Sequence, residues 1–415
     1  MNKVVLLFPG QGSQYVGMGK ALCESFTEAR ETFEEANEAL GFDLGKLCFE
    51  GDMEELTKTE NTQPAILTAS MAAFRVYMKE IGIEPAYTAG HSLGEFAALC
   101  CSGAVKFSDA VKIVRQRGKF MQQAVAVGVG GMAAVSGIGQ STIEDECGKA
   151  SKGGKLVVVS NYNSPDQIVI SGHLEAVEEA GAKLKALGAR VIPLKVSAPF
   201  HSPLMQPAAD LLNEELSKYT YYDLKYPVLS NYTALPYQGK ESIIDNLTKQ
   251  IVQPVRWQAS MQYLKVEGVN LGVELGPQTV LRNLMKKNAP EIKTYSYDND
   301  EDVKAVKRKL LSGEQDIENG MEVITKCIAA AICTKNSNWD EQAYQKGVVE
   351  PYRKIKNLKE EIIKENRQPS IEEVGQALNM LKSVLLTKML PTEEQKEYIN
   401  KILEETKTKE LFKNF

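Results

Sequence analysis

Histidine is almost absent from this chain: His91, His173 and His201 are the only three among 415 residues. Any chemistry that needs an imidazole must use one of them. The seven cysteines, at 23, 48, 100, 101, 147, 327 and 333, include no Cys-x-x-Cys pair, so the usual zinc spacing is missing. No metal site is expected. Their odd, unpatterned count suits a reducing cytosol rather than a disulfide framework. Positive charge is not in excess. The formal net charge of −5 argues against a general nucleic-acid binder. Long hydrophobic runs are missing too. The apolar run at 4–8 is ended by Pro9-Gly10, too short for a signal peptide, and no stretch is long enough to span a membrane. The expectation is a cytoplasmic protein. Two phosphate-loop patterns also fail. After Gly10-Gln11-Gly12, Tyr15 stands where a dinucleotide fingerprint needs its third glycine, and Gly19-Lys20 is followed by Ala21 where a Walker loop needs Ser or Thr.

What is present reads as globular: 43% hydrophobic and 25% charged residues, in a chain long enough for two or three domains. Gly90-His91-Ser92-Leu93-Gly94 has the Gly-x-Ser-x-Gly pattern of a nucleophile elbow. A strand expected at 86–89 runs into it and a helix expected at 95–101 runs out. Two glycines permit a sharp turn that exposes a serine hydroxyl at a strand's C-terminal end. The bland alternative is a glycine-rich turn with a capping serine.

Around the elbow the chain has an α/β texture. Strands are expected at 4–8, 226–230 and 270–274, and helices at 26–40, 63–81, 108–125, 204–216, 243–251, 260–266 and 280–287. Between them, 128–131 reads as a hinge. Next come a strand at 132–137, a helix at 141–150, strands at 155–161 and 167–171, a helix at 174–187 and a strand at 190–196. That βαββαβ order is the ferredoxin-like split unit. The expected organisation is therefore a large hydrolase-like α/β domain with a parallel sheet (1–127 and 197–300), an inserted ferredoxin-like small domain (128–196) and a C-terminal extension (301–415). The extension is rich in Lys and Glu, carries capping-box patterns at Ser370–Glu373 and Thr392–Gln395, and should hold three to five helices.

A serine nucleophile needs a base within hydrogen-bond reach. His91 adjoins Ser92, and neighbouring side chains at a strand end point apart. His173 follows a strand of the insert and reads as a surface residue. His201 lies in a loop bounded by Pro199 and Pro203, where the chain re-enters the large domain, and is the best candidate. No carboxylate with a strand-end context completes a triad, Asp109 and Asp166 included, so a backbone carbonyl is an alternative orienting group. The amide N–H of Leu93, after the nucleophile, is the expected oxyanion donor, with the Gln11 loop as the natural source of a second. On the 108–125 helix, Arg115 falls on the polar side of an ideal wheel and Arg117 on the apolar side. A buried guanidinium needs a partner. Both a structural salt bridge and an anionic substrate would supply one.

The ordered motifs Gly-Gln-Gly-Ser-Gln (10–14), Thr62-Gln63-Pro64, Gly90-His91-Ser92-Leu93-Gly94-Glu95, Arg117-Gly118-Lys119-Phe120-Met121, Asn161-Tyr162-Asn163-Ser164-Pro165, Ala198-Pro199-Phe200-His201-Ser202 and Gln250 ahead of Pro254-Val255 complete the pattern. Over residues 1–295 the chain resembles the malonyl-CoA:acyl-carrier-protein transacylase family, which includes acyltransferase domains of polyketide synthases. The resemblance implies Ser92 as nucleophile, His201 as base, the N–H groups of Gln11 and Leu93 as oxyanion hole, and the Gln250 carbonyl as the group orienting the imidazole. It implies Arg117 as partner of the malonyl carboxylate. Gln63, Met121, Asn161, Asn163 and Phe200 would line the substrate site, with Phe200 suited to malonyl rather than bulkier extenders. The implied substrates are malonyl-CoA and a phosphopantetheinylated acyl carrier protein, with no bound cofactor, in fatty-acid or polyketide synthesis. An editing acyl hydrolase and an inactive carrier-binding scaffold are the alternatives. The extension lies outside the resemblance; docking to a polyketide synthase module is one expectation for it.

Overall fold

The computed structural model describes residues 2–126, 128–194, 196, 198–311, 319–365 and 367–412. Two compact units result, Met1–Val303 and Lys304–Phe415. Val127 and Ser197, which flank the expected inserted domain (128–196), and Lys195, within its expected last strand, lie outside the described residues.

The first unit is built on β1 (Val4–Phe8), and every residue of that strand is buried. Such a run without polar alternation belongs at the centre of a parallel sheet covered on both faces. Val5 and Leu7 join Trp257, Met261 and Met285 in the core on one side, which turns Leu6 and Phe8 to the other. The strands that follow are β2 (Tyr87–Gly90), β3 (Gly130–Ser136), β4 (Val157–Ser164), β5 (Gln167–His173), β6 (Arg190–Pro193), β7 (Val228–Leu229), β8 (Leu271–Glu274) and β9 (Lys293–Ser296). The large sheet has the order β7-β2-β1-β8-β9, and all its pairs are parallel. Register sets Phe8 beside Gly90. The Gln11 loop and the serine turn therefore leave the sheet side by side at its C-terminal edge, where open α/β sheets place ligands.

β3 to β6 make a separate antiparallel sheet in the order β4-β5-β3-β6, the ferredoxin-like arrangement. Helices Gln140–Ala150 and Leu174–Ala186 contribute Ile143, Val177 and Leu184 to its core. The edge strand β4 is stapled to the large-sheet unit. Tyr162 N–H donates to Val255 O at 2.9 Å and Val255 N–H to Ser160 O at 2.8 Å. This pairing carries Asn161 and Asn163 to the serine turn.

Several boundaries differ from the sequence reading. β4 continues to Ser164 because the residues read as a turn-rich connection still pair with β5 through two register shifts, leaving only Pro165 and Asp166 as the turn. Helix Thr59–Glu80 starts four residues early and contains Pro64. Proline there loses one intrahelical hydrogen bond, which the otherwise buried helix tolerates. β9 went unread because four residues with one exposed lysine show no usable period. The short helices Lys20–Ser25, Leu44–Glu50 and Met53–Thr57 were missed for the same reason.

The second unit is helical. Helices Gly320–Cys333, Glu350–Lys364, Ile371–Thr387 and Thr392–Glu405 enclose Ile324, Cys327, Ile355, Ile362, Leu378, Leu381 and Leu385. Ser370 and Glu373 form the expected capping box. The second expected box does not form: Thr392 is already helical behind Pro391, with no side-chain cap. Among the described residues, no helix is long and apolar enough to cross a membrane.

Two glycines of the serine turn are required by close packing. A Cβ on Gly94 would sit 2.0 Å from Phe8 O, and one on Gly90 would sit 1.9 Å from Gly94 C. Gly94→Ala should lower the unfolding free energy by about 3 kcal/mol, as overpacking against backbone does. Urea titration measures this, and an unchanged midpoint would contradict the packing.

Candidate active site

Ser92 closes the turn with φ 49°, a left-handed conformation that costs a non-glycine residue energy. Asn231, just beyond β7, holds it. Asn231 Oδ1 accepts the Ser92 N–H at 2.6 Å, and its Nδ2 donates to Gly90 O at 2.7 Å. The Ser92 hydroxyl is thereby presented to His201, with Oγ 2.8 Å from Nε2. His201 Nδ1 lies 2.7 Å from the Gln250 carbonyl oxygen. A carbonyl only accepts, so Nδ1 carries the proton and Nε2 offers a lone pair to the serine hydroxyl. Burial, and secondarily the Arg117 cation, push the imidazole down to about 3. It is neutral at physiological pH and able to take a proton. Asp166, one of the carboxylates considered for a triad, pairs instead with Lys287 at 2.9 Å.

Arg117 comes from helix Phe107–Gln123 and is 1% exposed. Its Nη1 donates to Gln63 Oε1 at 2.9 Å, and its Nη2 to Gln250 Oε1 at 2.9 Å and to Ser92 Oγ at 3.1 Å. The guanidinium lies over the Phe96 ring, 5.3 Å from its centroid. It makes no ion pair among the described residues, and Nε has no partner. Burial lowers its pKa to about 9 while Glu95 pulls it back up, so it remains a cation at neutral pH. Of the two expectations for Arg117, a structural salt bridge is not what the geometry contains. Arg115 departs from its expected solvated position: it is half-buried and stacked 4.2 Å from the Phe42 ring centroid.

A cavity of about 180 Å³ opens over these groups. Gln11, Leu93, Met121, Asn161, Asn163 and Phe200, the residues the family resemblance pointed to, line it. The amide N–H groups of Gln11 and Leu93 donate to no acceptor among the described residues. Leu93 also heads helix Gly94–Cys101, whose N-terminal end favours negative charge. Gln63 is a correction. It lies fully buried behind Arg117, off the cavity wall, with Nε2 on Met121 Sδ at 3.6 Å. Its contact is with the guanidinium. His91 turns away from Ser92, with Nε2 2.8 Å from Asn163 Oδ1 and its ring 5.5 Å from that of Trp257. His173 is a structural residue whose Nδ1 accepts the Leu156 N–H.

Three groups escaped sequence reasoning: Asn231, the Gln250 side chain and Glu95. Glu95 had a signal, since a carboxylate heading the apolar run 96–101 is out of place unless it is bonded. Asn231 had none.

Together these groups make a serine–histidine pair with free amide donors and an unneutralised cation beside the hydroxyl. The sequence matches the acyl transferase domain family over residues 5–314. The chain belongs to that family. A Bacillus subtilis relative named malonyl CoA-acyl carrier protein transacylase is 40% identical over 395 residues, 95% of this chain and 99% of its own. An Escherichia coli K12 relative of the same name is 48% identical over 288 residues, covering 69% of this chain and 93% of its own. Among solved structures, the Coxiella burnetii malonyl CoA-acyl carrier protein transacylase superposes with TM-score 0.73 at 41% identity, over 74% of this chain and 98% of that one. A malonyl-transacylase in complex with a type II polyketide synthase acyl-carrier protein superposes with TM-score 0.72 at 39% identity, over 75% of this chain and all of that one. The family's common fold thus spans the first unit, and the Bacillus relative extends across the helical unit as well.

The state of His201 has a measurable consequence. The unfolded chain protonates this residue near its ordinary value, so the stability contributed by the neutral His201 is fully present above about pH 6.5 and is lost as pH falls from there toward 3. Between about pH 6 and 4, wild type should lose about 1.4 kcal/mol per pH unit more than His201→Asn. Urea unfolding across that range checks this, and equal slopes would contradict a neutral buried imidazole.

Proposed function

We propose that this chain transfers a malonyl group from malonyl-CoA to the phosphopantetheine thiol of an acyl carrier protein, through a malonyl ester of Ser92. The observation that carries the reading is the buried Arg117 cation, in no ion pair among the described residues and 3.1 Å from the Ser92 hydroxyl. A free malonyl carboxylate supplies the missing anion. An acyl group without a carboxylate would leave the guanidinium unpaired.

In the first half-reaction Ser92 Oγ attacks the thioester carbonyl while His201 Nε2 takes its proton. The Gln11 and Leu93 amides receive the oxyanion. The C–S bond breaks, and His201 returns the proton to the departing CoA sulfur. In the second half, His201 takes the proton of the carrier's thiol, the sulfur attacks the ester, and Ser92 leaves reprotonated. The Gln250 carbonyl keeps Nδ1–H in place throughout. Met121, Asn161, Asn163 and Phe200 shape the acyl pocket. These steps balance without a cofactor. The site draws on the large domain (1–127 and 197–300) and, through Asn161 and Asn163, on the small one (128–196). Seven free cysteines are in keeping with a cytoplasmic location.

Two outcomes test the reading. Intact mass after mixing with malonyl-CoA should show one malonyl adduct on wild type and none on Ser92→Ala; an unmodified wild type would sink the mechanism. Arg117→Ala should lose about 10- to 150-fold in malonyl transfer, the worth of a charge-assisted hydrogen bond, and gain relative activity on acetyl-CoA. A hydrolase would instead release free malonate at the same rate with and without carrier protein.

We propose further that the helical unit docks a polyketide synthase module. Support comes from its own hydrophobic core and from the E. coli relative, 93% of whose length is matched by 69% of this chain. Truncation after Leu311 keeps β9 and the helix Asp300–Leu311. It should leave malonylation of an isolated carrier protein within about 2-fold and slow transfer to an intact module at least ~10-fold, a loss of about 1.4 kcal/mol. Equal losses on both would mean a stabilising role only.

A further inference from the structure

Glu95 is buried on the first turn of the helix that follows Ser92, and it makes no ion pair among the described residues. Its Oε2 accepts the Gln250 side-chain Nε2–H at 2.6 Å and the Asn231 N–H at 3.0 Å. Its Oε1 accepts the Tyr237 hydroxyl. The proposed catalytic cycle uses none of these contacts. A buried carboxylate whose hydrogen bonds come only from neutral donors is an expensive way to fill a core position, and burial raises its pKa to about 7 against the pull of Tyr237, Gln250, Asn231 and, through space, Arg117.

What the carboxylate does is decide which way the Gln250 amide faces. With Nε2 on Glu95 and on Ser92 O at 3.0 Å, Gln250 Oε1 is left to face Arg117 Nη2 at 2.9 Å. Flipped, the amide would set its oxygen against the carboxylate and its N–H groups against the guanidinium, repulsive on both sides. The same residue's backbone carbonyl orients His201. Asn231, the other Glu95 partner from this region, clamps the serine turn. Glu95 touches Asn231 only at its backbone N–H and Gln250 only at its side-chain amide, so the serine clamp and the carbonyl that orients His201 act through other atoms, and the amide facing Arg117 is what the carboxylate decides.

We propose that Glu95 is a positioning residue for substrate selection: by pinning the Gln250 amide, it holds Arg117 in the pose that accepts a carboxylated acyl group. The proposal rests on the malonyl-transfer reading above. Glu95 acts as a hydrogen-bond acceptor in this role, so a neutral side chain of the same shape can replace it. In Glu95→Gln the new amide can keep its oxygen toward Gln250 Nε2 and turn its NH2 toward the Tyr237 oxygen.

The test is kcat and KM for malonyl-CoA and acetyl-CoA, with the same carrier protein. Glu95→Met should lower malonyl kcat/KM by about 10- to 100-fold, the scale of a misplaced binding group, mostly through a raised KM, and acetyl kcat/KM by less than about 3-fold. Glu95→Gln should restore the malonyl preference to within about 3-fold of wild type. In the Arg117→Ala background, Glu95→Met should cost no further selectivity, because both changes remove one interaction. Gln250→Met, which keeps the backbone carbonyl, should reproduce the selectivity loss and serves if Glu95→Met does not fold. The proposal is overturned if Gln250→Met keeps the malonyl preference, if Glu95→Met lowers both substrates equally, or if its effect adds to that of Arg117→Ala. Absence of the malonyl adduct on wild type would instead remove the underlying reading, whatever the Glu95 variants do.

Discussion

A guanidinium out of water without a counter-ion is the constraint around which this active site is arranged. Burying such a group costs several kcal/mol unless its donors are satisfied. The fold meets the cost with neutral acceptors drawn from distant parts of the chain: Gln63 from one helix, Gln250 from another and the hydroxyl of Ser92 at the turn. Amide oxygens satisfy hydrogen bonds without cancelling the positive charge. Arg117 lines the cavity as a cation with unused donor capacity, and under the proposed reading an incoming carboxylate would gain from both.

The same constraint explains why the histidine is oriented by a carbonyl. A carboxylate on His201 Nδ1 would also stand near Arg117, since Gln250 touches both groups. In a medium of low effective dielectric, it would compete with the substrate's carboxylate for the cation. It would also raise the imidazole's basicity and favour the protonated resting state, which cannot accept the serine proton. The Gln250 carbonyl fixes the tautomer without adding charge. Glu95 is set behind the Gln250 amide. There it tempers Arg117 through space and leaves the cavity face of the guanidinium open.

Legibility in the sequence followed the physics of each feature. The Gly-x-Ser-x-Gly turn could be read because close backbone approach admits only glycine at 90 and 94. His201 could be read because there were few imidazoles to choose from. Arg117 was visible as a charge on the wrong side of a helical wheel, but the wheel left its partner open. The Gln250 carbonyl came only from the family resemblance, since backbone acceptors leave no mark on residue identity. The resemblance placed Gln63 among the lining residues, and the fold puts it behind Arg117, since sequence alone does not tell which side of a buried arginine an amide occupies. Asn231 follows a two-residue strand, too short to produce a period, and its role depends on contacts across 139 residues of chain. Strand β4 was cut short for a related reason. Asn, Ser and Pro carry turn propensity, and here pairing with β5 and with Val255 outweighs it.

The serine–histidine pair and the groups around it lie within the first unit. Ser92, His201, Arg117, Gln250 and the cavity all lie inside residues 1–303, and the solved relatives reach nearly their full length over that part. The helical unit is not a frayed tail, for it closes its own core and spends polar groups on internal order. Buried Lys388, for example, donates to Ala331 O and Thr334 O at 2.8 Å and so satisfies carbonyls at the end of helix Gly320–Cys333. Ordering about a hundred residues carries a large conformational-entropy cost, of order 1 kcal/mol or more per residue. A relative from Bacillus subtilis shares nearly the whole length, whereas the shorter relatives do without it. The helical unit thus folds on a core of its own and is shared with a relative of nearly the same length, while the groups gathered around Ser92 draw on none of its residues.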